Sequence, residues 1–374
     1  MQSNINVWKK IFFTIWTGQA ISLLTSSIVQ FAIIWYLTYK TNSALVLSIA
    51  TLVGFLPQGI LGAFIGVYID RYDRRKIMII SDMCIAMVGL VLVIVSSLGE
   101  LPVWLIMAVL FIRSIATAFH SPAIQAITPL IVPEDKLTKC AGYSQTLQSL
   151  SYLISPALAS AIYAVWSLNY IIFIDVIGAI IAVMALLSVK IPEIEKPQIL
   201  KKPQLIEEAK EGLRVLQKQR GLFNLMIIGS LYMCVYMPIN ALFPLMSISY
   251  FGGTAWHAGI VEIAFAGGML SGGILLSIWG GMKNKIHTIV ASILLMGISL
   301  AIAGVIPNTG FIVFVILCVL MGLSGPFYSG VVMVIFQEKI KPEYLGRVFS
   351  LSSSLMMLAM PLGLAVSGAF ADII

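Results

Sequence analysis

Apolar stretches of about twenty residues recur along this chain from Ile11 to its last residue. Coiled into a helix, a run of that length matches the hydrocarbon thickness of a bilayer, and this many runs exceed what one soluble core can bury. Such windows place helices near 11–38, 44–69, 77–98, 102–127, 139–165 and 169–189, then near 221–247, 256–280, 286–306, 310–336 and 344–371. The expected fold is therefore an all-α membrane protein with eleven spans, joined mostly by very short turns. Composition agrees, since 59% of the 374 residues are hydrophobic and 10% are charged, against about a quarter charged in a soluble domain. The first span has no small-residue cleavage site and reads as a retained helix rather than a signal peptide.

The net charge of +7 would suit a nucleic-acid binder if it formed one patch, but it follows the spans instead. Lys9 and Lys10 precede the first span, Arg71 to Lys76 follow the second, Lys136 and Lys139 follow the fourth, and Lys283 and Lys285 follow the eighth. With the long stretch 190–220 and with Lys339, Lys341 and Arg347, every basic residue except Lys40 and Arg113 falls on one side. Basic loops stay cytoplasmic, so the N-terminus is expected inside, and the partner implied is the lipid bilayer, not nucleic acid. The stretch 190–220 separates an N-terminal bundle, 1–189, from a C-terminal bundle, 221–374. Its charged run from Glu207 to Arg220 reads as a solvated linker or as an amphipathic helix on the membrane face. Cys84, Cys140, Cys234 and Cys318 lie in or beside apolar segments without paired spacing, and the histidines are scattered. No metal site, disulfide framework or cofactor is expected.

The two halves resemble each other at a shift of about 209 residues. Pro133-Glu134 matches Pro342-Glu343, and Phe119-His120-Ser121 matches Phe327-Tyr328-Ser329 to within one residue. Parallel repeats of this kind build many secondary transporters. The same shift places the partner of the sixth span beyond Ile374. The expectation is two six-helix bundles with the twelfth helix absent from this chain and Asp372 on the external side.

After the second span the chain reads Gly66, then Asp70-Arg71, Asp73, Arg74-Arg75-Lys76. This resembles the signature loop of the major facilitator superfamily, with Asp73 where the family has glycine. Gly66 permits close helix approach, Asp70 can accept hydrogen bonds from a helix N-terminus, and the arginines can anchor at lipid headgroups. Further phrases, among them Gly142-Tyr143-Ser144-Gln145, Tyr236 through Pro244, and Phe336-Gln337-Glu338-Lys339 through Ser350, are similar to bacterial macrolide efflux proteins of that superfamily, and the similarity covers essentially the whole chain. The resemblance implies proton-driven export of macrolides from a bacterial cell, against proton influx, and a multi-pass place in the cytoplasmic membrane. It also allows an ATP-binding partner protein. The fifth span departs from the antiporter pattern, with Ser155-Pro156 where a Gly-Pro pair is usual.

Ionisable residues inside spans are functional candidates, because burying a charge in hydrocarbon is costly unless it is paired or wetted. Arg113 lies about 18 Å into the fourth span at helical rise, either as a proton-coupling group or held by backbone carbonyls. Glu262 in the eighth span is the first candidate to carry a proton or meet a cationic drug, and Asp175 in the sixth reads as a packing partner or a further proton-coupling candidate. Asp82, about one turn into the third span, is expected to pair with the basic turn Arg74 to Lys76 and stabilise the cytoplasmic gate. Candidates for the substrate cavity are Gln19, Gln145 and Asn240, with Tyr232, Tyr236 and Phe243 as an apolar wall. Helix packing is the competing role for each. A permease for another small molecule stays open as a reading, as does a membrane sensor. An embedded enzyme would need clustered reactive side chains, and neither these nor a phosphate-binding glycine loop is found.

Overall fold

The computed structural model describes residues 2–41, 43–163, 165–191 and 205–371. Among them the chain forms helices α1 (Gln2–Thr41), α2 (Ala44–Arg71), α3 (Arg74–Leu98), α4 (Val103–Ile131), α5 (Leu137–Tyr163), α6 (Leu168–Ser188), α7 (Leu205–Lys218), α8 (Arg220–Leu245), α9 (Ala255–Trp279), α10 (Lys285–Ala303), α11 (Phe311–Lys339) and α12 (Leu345–Ala371), and no strand. Asp372 lies outside the described residues. Each expected span falls on a helix, and α7 occupies the polar stretch between the sixth and seventh.

Nine stretches among the described residues are long and apolar enough to cross a membrane, not eleven. The two expected spans outside this set lie on α5 and α8. The stretch 137–151 of α5 carries Thr138, Lys139, Ser144, Gln145, Thr146, Gln148, Ser149 and Ser151, a composition suited to protein or water contact rather than lipid. On α8 the apolar run among the described residues is Arg220–Tyr236, short for a bilayer.

Helix ends follow local chemistry. Asp73 caps α3, its carboxylate accepting from the Arg75 N–H at 2.9 Å, and Asn284 caps α10 in the same way at 3.0 Å. Such caps satisfy amide groups that have no partner inside the helix. Asp73 in place of the family glycine therefore starts a helix. At the other end of α9, Gly280 takes a left-handed φ of 78°, which a residue with a Cβ adopts only at a cost.

The helices gather into two compact units. The first comprises Met1–Pro133, Ile154–Phe223 and Ile340–Met357; the second comprises Glu134–Leu153, Asn224–Lys339 and Leu358–Ile374. Thus α5 and α12 each divide between units. The first unit has two apolar clusters, one around Ile33, Leu37, Leu92, Ile106 and Ile171 and one around Ile15, Ile69, Met78, Ile127 and Leu186. Along α1, α3, α4 and α6, the buried polar side chains described below come between these clusters. The second unit has a core of Phe243, Val261, Phe265, Phe314 and Met321. In the first unit, a Cβ at Gly66 would lie 2.5 Å from the Arg347 Cα, so α2 and the start of α12 touch backbone to backbone.

Candidate functional site

The end of α2 and the start of α12 meet in a charged cluster inside the first unit. Asp70 accepts from the backbone N–H of Gly346 at 2.7 Å and of Arg347 at 3.0 Å, where α12 begins, and from Arg74 at 3.2 Å. Such N–H groups carry the positive end of the helix dipole. Arg74 also donates to the carbonyls of Ala126, at 2.9 Å, and Pro342. Arg71 pairs with Glu208 of α7, and Arg347 reaches Glu211 at 2.6 Å and Glu208 at 3.4 Å. Arg75 donates to the Leu186 and Leu187 carbonyls at the end of α6. These arginines, read from sequence as headgroup anchors, are instead engaged with protein, and of the loop's basic residues Lys76 is the exposed one. Burial pushes the Asp70 carboxyl, which sits just past the second span, up to about 6, against the opposing pull of Arg74, Arg347 and the two N–H groups.

Deeper in the unit lies a second polar group. Arg113 Nη1 is 2.5 Å from Asp175 Oδ2, and both side chains are buried. The other Asp175 oxygen accepts from Ser26 at 2.6 Å and Thr25 at 3.2 Å. Arg113 therefore has a carboxylate counter-ion on α6 rather than backbone carbonyls. Asp82 does not take the basic turn as partner. Eight residues of helix, about 12 Å, separate it from Arg74, and Arg74 is held by Asp70. Instead Asp82 accepts from Gln19 Nε2 at 3.1 Å and faces His120 Nε2 at 3.5 Å. Gln19, a cavity candidate by sequence, is thus buried against a carboxylate.

The second unit is aromatic where the first is charged. Tyr232 stacks on Tyr328 with ring centroids 4.4 Å apart and on Tyr236 at 5.8 Å. Tyr236 approaches Phe265, which meets Phe243 edge-on at 5.2 Å. Offset and edge contacts of this kind add to the burial of the rings. The Tyr232 hydroxyl lies 3.3 Å from Ser324 Oγ, while the buried Tyr328 hydroxyl has no partner among the described residues. Phe243 is 2% exposed and belongs to the core rather than to an open wall. Glu262 is exposed and in electrostatic reach of Tyr152. Gln145 is half-buried beside Gly330 of α11. The side chain of Asn240 lies outside the described residues.

The sequence matches the Major Facilitator Superfamily across residues 15–371. This chain belongs to that superfamily. It is 60% identical to "Macrolide efflux protein A" of Streptococcus pyogenes over 98% of this chain and 91% of the relative. It is 59% identical to the protein of that name from Enterococcus faecalis over 86% of this chain and 100% of the relative. Among solved structures it resembles a bacterial homologue of the iron transporter ferroportin in the outward-facing state, with TM-score 0.72, 14% identity, and 96% and 92% of the two chains covered. It also resembles the proton:xylose symporter XylE, with TM-score 0.71, 16% identity, and 99% and 89% covered. At those identities the likeness concerns the fold alone. As a superfamily member the chain is a multi-pass membrane transporter, and its all-helical build agrees.

Four participants escaped the sequence reading. Glu208 and Glu211 stand three residues apart on α7, the spacing that puts two side chains on one helix face, and both turn to arginines. His120 and Tyr328 were visible only as a matched pair in the repeat. That match was the available signal that both positions face inward.

Proposed function

We infer that the protein exports macrolide antibiotics across a bacterial cytoplasmic membrane, exchanging drug for incoming protons by alternating access and so conferring macrolide resistance. The observation that carries this is the 60% identity to a streptococcal macrolide efflux protein over nearly the whole chain. In this reading the N-terminus is cytoplasmic, and the chain crosses eleven times, through the nine apolar stretches together with α5 and α8. The one-sided distribution of basic residues supports that orientation. The bundles 1–189 and 221–374 are the bodies that rock about a central site.

The tyrosines 232 and 236, with Gln145 and Asn240, offer a bulky hydroxylated ring an aromatic surface and amide partners. The exposed carboxylate of Glu262 is where a drug amine and a proton compete. Arg113 and Asp175 form a closed ion pair that adds no net charge to the first bundle's interior. In cells expressing the protein, radiolabelled erythromycin is expected to settle at a lower level, and a proton uncoupler to erase the difference. Unchanged accumulation despite verified membrane expression contradicts the export reading. Glu262→Gln is expected to bind drug but fail to export uphill, and normal pH-dependent export by that variant moves the proton role elsewhere.

A further inference from the structure

Asp82 poses a problem of charge. Its carboxylate is 3% exposed and sits between the two apolar clusters of the first unit. Gln19 gives it a hydrogen bond but no charge. His120 Nε2, 3.5 Å from Oδ1, is itself buried without a hydrogen-bond partner. The other charged groups on the surrounding helices are spent or distant. On α1, Lys9 and Lys10 are exposed near its start. On α2, Asp70 and Arg71 belong to the charged cluster. On α3, Arg74 holds Asp70, Arg75 holds the α6 carbonyls, and Lys76 is exposed. On α4 and α6, Arg113 and Asp175 hold each other.

A carboxylate without a counter-charge is strongly disfavoured in such surroundings. Charge balance therefore calls for one proton at this place, on Asp82 Oδ1 or on His120 Nε2, and imidazole is the side chain that exchanges a proton most readily near neutral pH. We propose that Asp82 and His120 form a proton-holding pair of the transport cycle, a coupling site in the first unit separate from Glu262. The proposal rests on the export reading above. With one proton the pair is neutral in either form. Releasing that proton to water leaves one negative charge in an apolar layer, so release requires the layer to open to water.

The pair is well placed to report its state. Asp82 shares α3 with Arg74, and His120 shares α4 with Ala126, whose carbonyl Arg74 holds. Next to His120, the Phe119 ring meets Tyr68 of α2 edge-on at 6.2 Å. A change at the pair thus bears on the same helices that Asp70 and Arg347 close.

The test uses the purified full chain in proteoliposomes, with radiolabelled erythromycin, an imposed pH gradient, and drug-for-drug exchange without a gradient. In Asp82→Asn, gradient-driven accumulation is expected to fall to the protein-free level while exchange continues. In His120→Gln, the pH profile of accumulation is expected to shift by about one unit. Asp82→Asn with parental accumulation and pH profile overturns the proposal. If Asp82→Asn does not fold, His120→Gln decides: a shifted profile supports the pair and an unshifted one overturns it. Folded variants that lose exchange together with accumulation also overturn it, because that is the mark of a structural role. A parent chain that exchanges drug but ignores the gradient defeats instead the proton-driven reading on which the pair depends.

Discussion

His120 in the first unit and Tyr328 in the second stand at matching places in the repeat, yet one faces a buried carboxylate and the other lies flat against Tyr232. On the helices that carry His120 and its neighbours, the first unit buries two carboxylates, an arginine and an amide and sets two half-buried hydroxyls against one of the carboxylates. Around Tyr328 the second unit buries rings, and hydroxyls are its main polar atoms. One scaffold, repeated, has thus been given two interiors. Charge can be buried only where counter-charges are built in beside it. Rings need no such partners and offer broad apolar area for a large ligand. On the proposed reading this is a division of labour, the first unit holding the buried proton pair and the second offering the aromatic surface for the drug beside the exposed carboxylate of Glu262.

The sharpest way to break the comparison is to strand a charge in the first unit. Asp175→Leu leaves Arg113 buried without its carboxylate and is expected to cost about 3–5 kcal/mol, read as lost folded protein on heating in detergent. Replacing both residues by leucine should restore most of that loss. A single variant as heat-stable as the parent would mean that the pair is solvated. In the second unit, Phe243→Ala is expected to cost about 3 kcal/mol through the cavity it leaves. Its effect should appear as thermal stability, with affinity for erythromycin little changed in the folded fraction.

A smaller effect is expected at the charged cluster around Asp70. The Asp70 carboxyl is held up at about 6 when assembled, above its ordinary 3.8, so the assembled cluster binds a proton that the separated carboxyl would release. Assembly is therefore favoured as pH falls through 6 and loses that contribution as pH rises through it. Spin labels at the exposed positions Lys76 and Lys341 should report a larger closed population at pH 5 than at pH 7, and Asp70→Asn should flatten the difference. The smallest effect belongs to Tyr328→Phe. Removing a hydroxyl that has no partner is expected to change stability by less than about 1 kcal/mol, and a larger destabilisation in a thermal melt would reveal a partner.

Much of the fold was legible because the bilayer imposes length and polarity so strictly. Each apolar window became a helix, and Gly66 marked a close approach. The α5 and α8 spans were the less secure, α5 because polar residues such as Gln145 and Ser149 interrupt its apolar character and α8 because its apolar run is short. The site was harder to read. Sequence showed Asp82 near a basic turn, but eight residues of helix carried it out of reach, toward Gln19 and His120 on other helices. Arg113 and Asp175 were each found as intramembrane charges, yet their pairing depends on the register of α4 against α6, which no local pattern encodes. Phe243 and Tyr232 look alike in sequence, and only packing separates a core ring from one in a tyrosine stack.

The division of labour is tested most directly by equilibrium binding of radiolabelled erythromycin to two purified variants in detergent at one pH. Tyr232→Ala removes the ring that stacks on both Tyr236 and Tyr328, and Asp82→Asn removes charge from the first unit while leaving the stack in place. The account predicts that Tyr232→Ala weakens binding about tenfold or more, a loss of roughly 1.4 kcal/mol, and that Asp82→Asn leaves most of the affinity. Equal losses in the two variants, or a larger loss in Asp82→Asn, would contradict it.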